Sequence, residues 1–102
     1  MSKSIMHNKQ DGTCYLCMKL NKDYDRRTRL EEHHAVLGNP GRKQAEHYGL
    51  KVYLCTQHHR EGPEAVHNNK ANLRLVQQEA QKAFEKKHSH EKWMAAFGRN
   101  YL

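Results

Sequence analysis

The chain has 102 residues, 36% of them hydrophobic and 28% charged, and its 18 Lys and Arg against 11 Asp and Glu give a formal net charge of +7. That length supports one small domain, and a mean hydropathy of −1.12 leaves it a thin core, so the chain either carries disordered parts or needs a support beyond apolar burial, such as a metal. No apolar run is long enough to span a membrane, and the opening residues MSKSIMHNKQDG lack the apolar segment of a secretion signal, so a soluble, cytoplasmic protein with no membrane partner is expected.

Residues 1–12 are polar and aperiodic and read as a flexible tail. TCYLCMKLN (13–21) reads as a knuckle, a tight turn that presents two thiolates with Tyr15 and Leu16 at its tip. KDYDRRTR (22–29) is a charged connection. LEEHHAVL (30–37) is apolar at both ends and polar in the middle, the pattern of a short strand whose centre carries function. GNPGRK (38–43) has the chemistry of a turn, AEHYG reads as one helical turn ended by Gly49, and LKVYLC (50–55) alternates as a second strand. A short helical turn follows Cys55 and is cut off by Gly62-Pro63. From about Asn69 the residues Leu73, Val76, Ala80, Ala83 and Phe84 keep helical spacing, capped by Asn68 or Asn69. A second helix starts behind Ser89, carries Trp93, Met94 and Phe97 on one side, and ends at Gly98. These two C-terminal helices are expected to supply most of the apolar cover of an α+β fold, with Trp93 and Phe97 in its core.

The three cysteines cannot all pair with one another, which argues against a disulfide framework. Cys14 and Cys17 form one C-x2-C half-site, and Cys55 with His58 forms a C-x2-H half-site, with thirty-seven residues between the two. Together they offer the Cys3His donor set of a structural zinc ion. A redox C-x-x-C is the competing possibility, but that motif normally opens a helix behind an apolar strand, and here NKQDGT precedes it. Residues 13–102 are therefore expected to form a single zinc-stabilised domain.

The remaining histidines are unevenly placed. His33 and His34 sit in the middle of the first strand, His59 directly follows the last zinc ligand, and His67 lies eight residues beyond it. His7, His88 and His90 read as ordinary exposed residues, and His47 is unassigned. A neutral imidazole suits deprotonation of water near neutral pH, and Glu32 or Glu31 can orient the second ring nitrogen of such a base. The basic balance, with a pI near 9.5, favours a polyanionic partner, nucleic acid first, although a solubilising surface is the plainer alternative. Arg26, Arg27, Arg29, Arg42 and Lys43 are the candidates for phosphate contact.

A C-x2-C knuckle, a strand with a central His-His, a Gly/Pro/Asn loop and a strand ending in LCxxHH resemble the layout of the HNH endonucleases. These are the zinc-supported ββα-metal, or His-Me finger, nucleases common in phages, and the resemblance covers residues 14 to about 67. The ending FGRNYL also looks like that of small phage HNH proteins related to the Ref-type, RecA-dependent recombination nuclease. The resemblance implies a treble-clef or ββα-metal core with structural zinc on Cys14, Cys17, Cys55 and His58. It implies a general base at His34 and a catalytic divalent metal, Mg²⁺ or Mn²⁺ or another, on His33 and His59. His67 stands open between a third ligand and a polar residue at a helix entry. The strand would bend locally so that His33 reaches the metal while His34 reaches the water. The implied activity is endonucleolytic hydrolysis of DNA in the cytoplasm of a host cell, with a recombination or replication protein as a possible partner. The sequence departs from the family at its middle Asn, whose place falls on Leu50; Asn39 and His47 are the candidates to brace the loop instead. The alternative function is a non-catalytic zinc-binding module for nucleic acid or a recombination partner.

Overall fold

The computed structural model of the chain describes residues 3–38 and 41–102. Among these residues four α-helices and two strands follow in the order α1 (Tyr15–Asn21), β1 (Glu31–His34), α2 (Gly41–Tyr48), β2 (Lys51–Leu54), α3 (Lys70–Glu85) and α4 (His90–Phe97), with a 3-10 turn, Lys9–Asp11, before α1 and a π-helical turn, Gln57–Glu61, between β2 and α3. This is an α+β arrangement. Among the described residues no helix is long and apolar enough to cross a membrane.

The two strands are antiparallel, with Glu31 opposite Leu54, Glu32 opposite Tyr53, His33 opposite Val52 and His34 opposite Lys51. Directly opposed residues share a face, so Glu31, His33, Val52 and Leu54 point one way and Glu32, His34, Lys51 and Tyr53 the other. The first face packs on the core, where Val52 and Leu54 are fully buried with Leu16, Val66 and Val76. All four β2 residues are buried, against the half-exposed alternation expected for LKVYLC. The second face is covered as well, by α2 and by the N-terminal segment.

That segment is not the flexible tail read from its composition. The Ile5 amide donates to Gly49 O at 2.9 Å, the Ser4 hydroxyl donates to Lys51 O, and the Tyr53 amide donates to Nδ1 of His7 at 3.1 Å. His7, expected to be exposed, is buried, and its Nε2 pairs with the Thr13 hydroxyl at 3.2 Å. Composition misleads here because the segment is held by backbone groups along β2 rather than by apolar side chains. Gly49 makes the approach possible: its φ is +72°, and a Cβ there would stand 2.2 Å from Lys3 O. The radius of gyration, 13.0 Å, matches the value of about 13 Å expected of a compact chain of this length.

Two further elements differ from their sequence patterns. The knuckle is followed at once by α1, capped by Cys14, and Tyr15 and Leu16 are buried core rather than a turn tip. The loop read over 38–43 gives way at Gly41 to α2, eight residues long, so Arg42 and Lys43 are helical.

The C-terminal helices form as expected. Asn69 caps α3 by accepting from the Asn72 amide, and Val76, Ala80 and Phe84 recur every four residues on its buried side. Ser89 caps α4, and Gly98 closes it at φ +70°. Trp93 is fully buried between Phe84, 5.4 Å away centroid to centroid, and Phe97 at 4.2 Å, and its Nε1 donates to Arg99 O at 2.7 Å. The terminal residues serve this packing: the Tyr101 amide donates to the buried Gln81 Oε1 at 2.7 Å, and Gln81 Nε2 donates to Asn100 Oδ1 at 2.8 Å.

Candidate metal centres

The first centre joins the two halves of the chain. Cys14 and Cys17 come from the start of α1, Cys55 follows β2, and His58 stands in the π-helical turn. His58 Nδ1 lies 3.6 Å from Cys14 Sγ, 3.3 Å from Cys17 Sγ and 3.5 Å from Cys55 Sγ, and the Cys17 and Cys55 sulfurs are 4.0 Å apart. With Zn–S near 2.3 Å and Zn–N near 2.0 Å, the edges of a tetrahedron are about 3.5–3.8 Å, so the four donors fit a zinc ion. The cysteines are free thiols, and the 4.0 Å sulfur separation is about twice a disulfide bond. Burial pushes the Cys14 thiol up to about 12, so its thiolate needs a cation beside it.

Arg27 closes the outside of this centre. Its Nη2 donates to Cys17 Sγ at 3.4 Å and to Asp23 Oδ2 at 2.7 Å, and these two bonds, the thiol first, raise its pKa further. Arg26 reaches the carbonyls of Gln10 and Asp11 at 3.1 and 2.9 Å. Two of the arginines considered for phosphate contact thus hold the fold itself.

The second centre is built on the other residue of the histidine pair. His59 leaves the same turn as His58 and meets His33 of β1 and His67. The ring centroids are 5.4 Å apart for His33 and His59, 5.3 Å for His33 and His67, and 4.8 Å for His59 and His67. The Nε2 atoms of His59 and His67 are 3.2 Å apart, and one nitrogen from each of the three rings lies within 4.8 Å of the others. His67 returns to this point because Asn68 Nδ2 donates to Arg60 O and Gly62 O, at 2.8 and 3.1 Å, folding the intervening loop back on the turn. Gly62 lets that loop close, since a Cβ there would stand 2.7 Å from Gln57 O.

Among the described residues, His33 Nε2 is the buried side-chain polar atom with no hydrogen-bond partner. Leaving such a group unpaired costs about 1–3 kcal/mol, so it requires an explanation. Burial, with the neighbouring His59, His67 and His34, lowers its pKa to about 3, which keeps the ring neutral and its lone pair available. Glu31 Oε1 accepts from His59 Nδ1 at 2.8 Å, and this bond holds the Glu31 carboxyl below the usual carboxylate range. The same bond places the proton of His59 on Nδ1 and leaves Nε2 facing His67. Three imidazoles, one backed by a carboxylate, are a donor set suited to a divalent transition ion.

His34 does not join this group. β1 stays regular, with no local bend, so its adjacent residues alternate. His34 Nε2 pairs with Glu46 Oε1 of α2 at 2.8 Å and lies 3.7 Å from Glu32 Oε1. Glu31, considered as a partner for this residue, serves His59 instead. Lys51 reaches Glu46 at 3.1 Å and Glu32 at 3.3 Å. Burial opposes the charge on Lys51, but hydrogen bonds with Glu46 and Glu32 outweigh it and its pKa is raised. Glu32, His34 and Glu46 also have the spacing of a metal site, but the Lys51 ammonium already supplies their cation. His34 lines a groove of about 450 Å³ with Gly38, Arg42, Lys43 and Glu46, so both candidate phosphate contacts on α2 stand beside it.

Leu50, where the resemblance to HNH endonucleases implied an Asn, is fully buried and apolar. Asn39 lies outside the described residues, and His47 packs on Tyr48 with centroids 4.7 Å apart. Glu46, one position earlier on α2, is the residue that sequence reasoning missed; a lone Glu in a short polar stretch carries no signal of its own. Of the histidines expected at the surface, His90 pairs with Glu85 at 2.8 Å and is exposed, while His88 packs on Phe84. No family model matches the chain, and neither a curated protein nor a solved structure matches it.

Proposed function

We propose that the protein is a metal-dependent endonuclease of the HNH type, hydrolysing phosphodiester bonds of DNA on a zinc-supported treble-clef or ββα-metal core. The observation that carries this reading is the orphaned His33 Nε2, buried in a cluster of three imidazoles one residue away from a zinc-type centre. His33, His59 and His67 would hold a divalent ion there. When bound, such an ion offsets charge on the pentacoordinate phosphorus and on the departing 3′ oxygen. His34 accepts the proton of the attacking water, and Arg42 and Lys43 hold the phosphate backbone in the groove beside it. Because His33 and His34 take opposite faces at the end of β1, the phosphodiester would lie across the end of that strand. A net charge of +7 favours a DNA partner, and a recombination or replication protein would direct so small an enzyme to its substrate.

A second reading is a zinc-supported binding module without activity. The placement of His34 on the opposite strand face from the three-histidine group favours it. Nicking of supercoiled plasmid in Mg²⁺ or Mn²⁺ separates the two. The nuclease nicks, and His33→Ala or His34→Ala lowers the rate by about 10²-fold or more while about one zinc per chain is retained. Wild-type protein that shifts DNA but never cuts it under Mg²⁺, Mn²⁺, Co²⁺ or Ni²⁺ leaves the binding module.

A further inference from the structure

A carboxylate can only accept a hydrogen bond, and Glu46 is held as a carboxylate by the Lys51 ammonium at 3.1 and 3.2 Å from its two oxygens. The 2.8 Å contact between Glu46 Oε1 and His34 Nε2 therefore requires the ring proton on Nε2, which leaves the lone pair on Nδ1. The pair is fixed by its scaffold. Ala45, beside Glu46, is fully buried, and its carbonyl accepts from the Leu50 amide at 2.8 Å. The Leu50 carbonyl in turn accepts from the Ala35 amide, next to His34, at 2.9 Å. Two backbone bonds thus tie the end of α2 to the end of β1, setting the distance between Glu46 and His34. Glu32 touches the same lysine at 3.3 Å but stands 3.7 Å from His34, beyond hydrogen-bond reach.

We propose that Glu46 is the positioning residue of His34, holding the imidazole as its Nε2–H tautomer so that Nδ1 is the atom that takes a proton from water. This rests on His34 being the base of the proposed nuclease. In that step the water O–H bond breaks, its proton passes to His34 Nδ1, the oxygen bonds to phosphorus, and the P–O3′ bond breaks with the electron pair leaving on O3′. The imidazolium formed is stabilised by the Glu46 charge, and the oriented ring meets the water without first giving up a conformation. The device resembles any His–carboxylate pair in logic, but here the carboxylate comes from a helix between the two strands.

The test uses the full zinc-loaded chain and three measurements. Nitrogen-15 NMR of the histidines should show His34 in wild type as the Nε2–H tautomer, with a slowly exchanging downfield ring proton that Glu46→Gln weakens and Glu46→Ala removes. In plasmid nicking, Glu46→Gln should lower kcat about tenfold and Glu46→Ala further, with KM for DNA little changed. Glu32→Gln is the control: it removes the same charge from around Lys51 yet leaves the His34 bond, so kcat should stay within about twofold of wild type. An Nδ1–H tautomer in wild type overturns the proposal, as does a Glu46→Gln rate equal to wild type or an equal loss in Glu32→Gln. Wild-type protein that never cuts removes the base role together with the nuclease reading, while the tautomer still decides whether Glu46 orients the ring.

Discussion

The Cys3His centre and the three-histidine centre start from consecutive residues, His58 and His59, and are built to opposite specifications. The first draws four donors from two distant half-sites, with Cys14, Cys17 and His58 buried and Cys55 half-buried, and it closes on itself. The second offers three nitrogens, one of them buried without a partner. Zinc sites that only support a fold are four-coordinate and closed, whereas sites that act on a substrate keep a position open. The difference assigns opposite energetic roles. On the proposed reading the first centre would stabilise the chain with its ion bound, and the unsatisfied His33 nitrogen would cost stability while it has no partner.

The largest effect should therefore come from breaking the first centre. Removing zinc with a chelator, or the change Cys17→Ser, should abolish most of the folded circular dichroism signal, because zinc binding to such sites supplies about 10–16 kcal/mol of folding free energy at pH 7. A chain that keeps its melting temperature after complete zinc removal would mean that the apolar core alone holds the fold. Next in size is Glu31→Gln, which removes the carboxylate behind His59 while leaving His58 untouched. Affinity of the second centre for Co²⁺ or Ni²⁺ should fall about 10- to 100-fold, read by titration of the zinc-loaded protein, with zinc content unchanged. Unchanged affinity would show that His59 needs no orienting partner. Smaller again, and of opposite sign, is His33→Leu. With only zinc present it should raise stability by about 1 kcal/mol or more, since it replaces an unsatisfied buried nitrogen with carbon. Denaturant unfolding measures it, and a loss of stability would mean that His33 contributes to packing rather than waiting for a ligand.

The zinc half-sites were legible because their spacing is chemistry in itself: C-x2-C and C-x2-H place donors on a turn whatever surrounds them. The C-terminal helices were legible for a similar reason, since Asn69, Ser89 and Gly98 mark their ends and the apolar residues between keep the helical period. The three histidines of the second centre could be picked out by position, but the face of β1 on which each histidine falls could not. That depends on whether the strand bends, which its four residues do not encode. Glu46, and the part Arg27 plays at Cys17, were invisible in the sequence because each depends on a hydrogen bond formed across the fold, to His34 and to Cys17. The N-terminal segment was misread because backbone amides and carbonyls, which every sequence possesses, hold it to β2.

That segment also offers the finest distinction between the two kinds of buried histidine. His7, unlike His33, has both ring nitrogens engaged: Nδ1 accepts from the Tyr53 amide, and Nε2–H is left to donate to the Thr13 hydroxyl. Burial lowers its pKa below 6.5, with Asp11 opposing only in part, so the folded state resists the proton that the unfolded chain accepts. Above pH 6.5 both states are neutral at His7 and its contribution is fully present. As the pH falls below 6.5 the unfolded chain takes the proton first, and stability declines until the depressed folded pKa is reached, by at most about 1.4 kcal/mol per pH unit. His7→Asn keeps an acceptor for the Tyr53 amide but has no proton to take up. The variant should be less stable than wild type at pH 7.5, through lost packing against Tyr15 and Tyr53, and the gap should narrow by pH 5.5. Acid release of zinc is common to both proteins and cancels in the difference. A gap that stays constant or widens on acidification would place the His7 ring in water and return residues 3–12 to the loose arm that their composition describes.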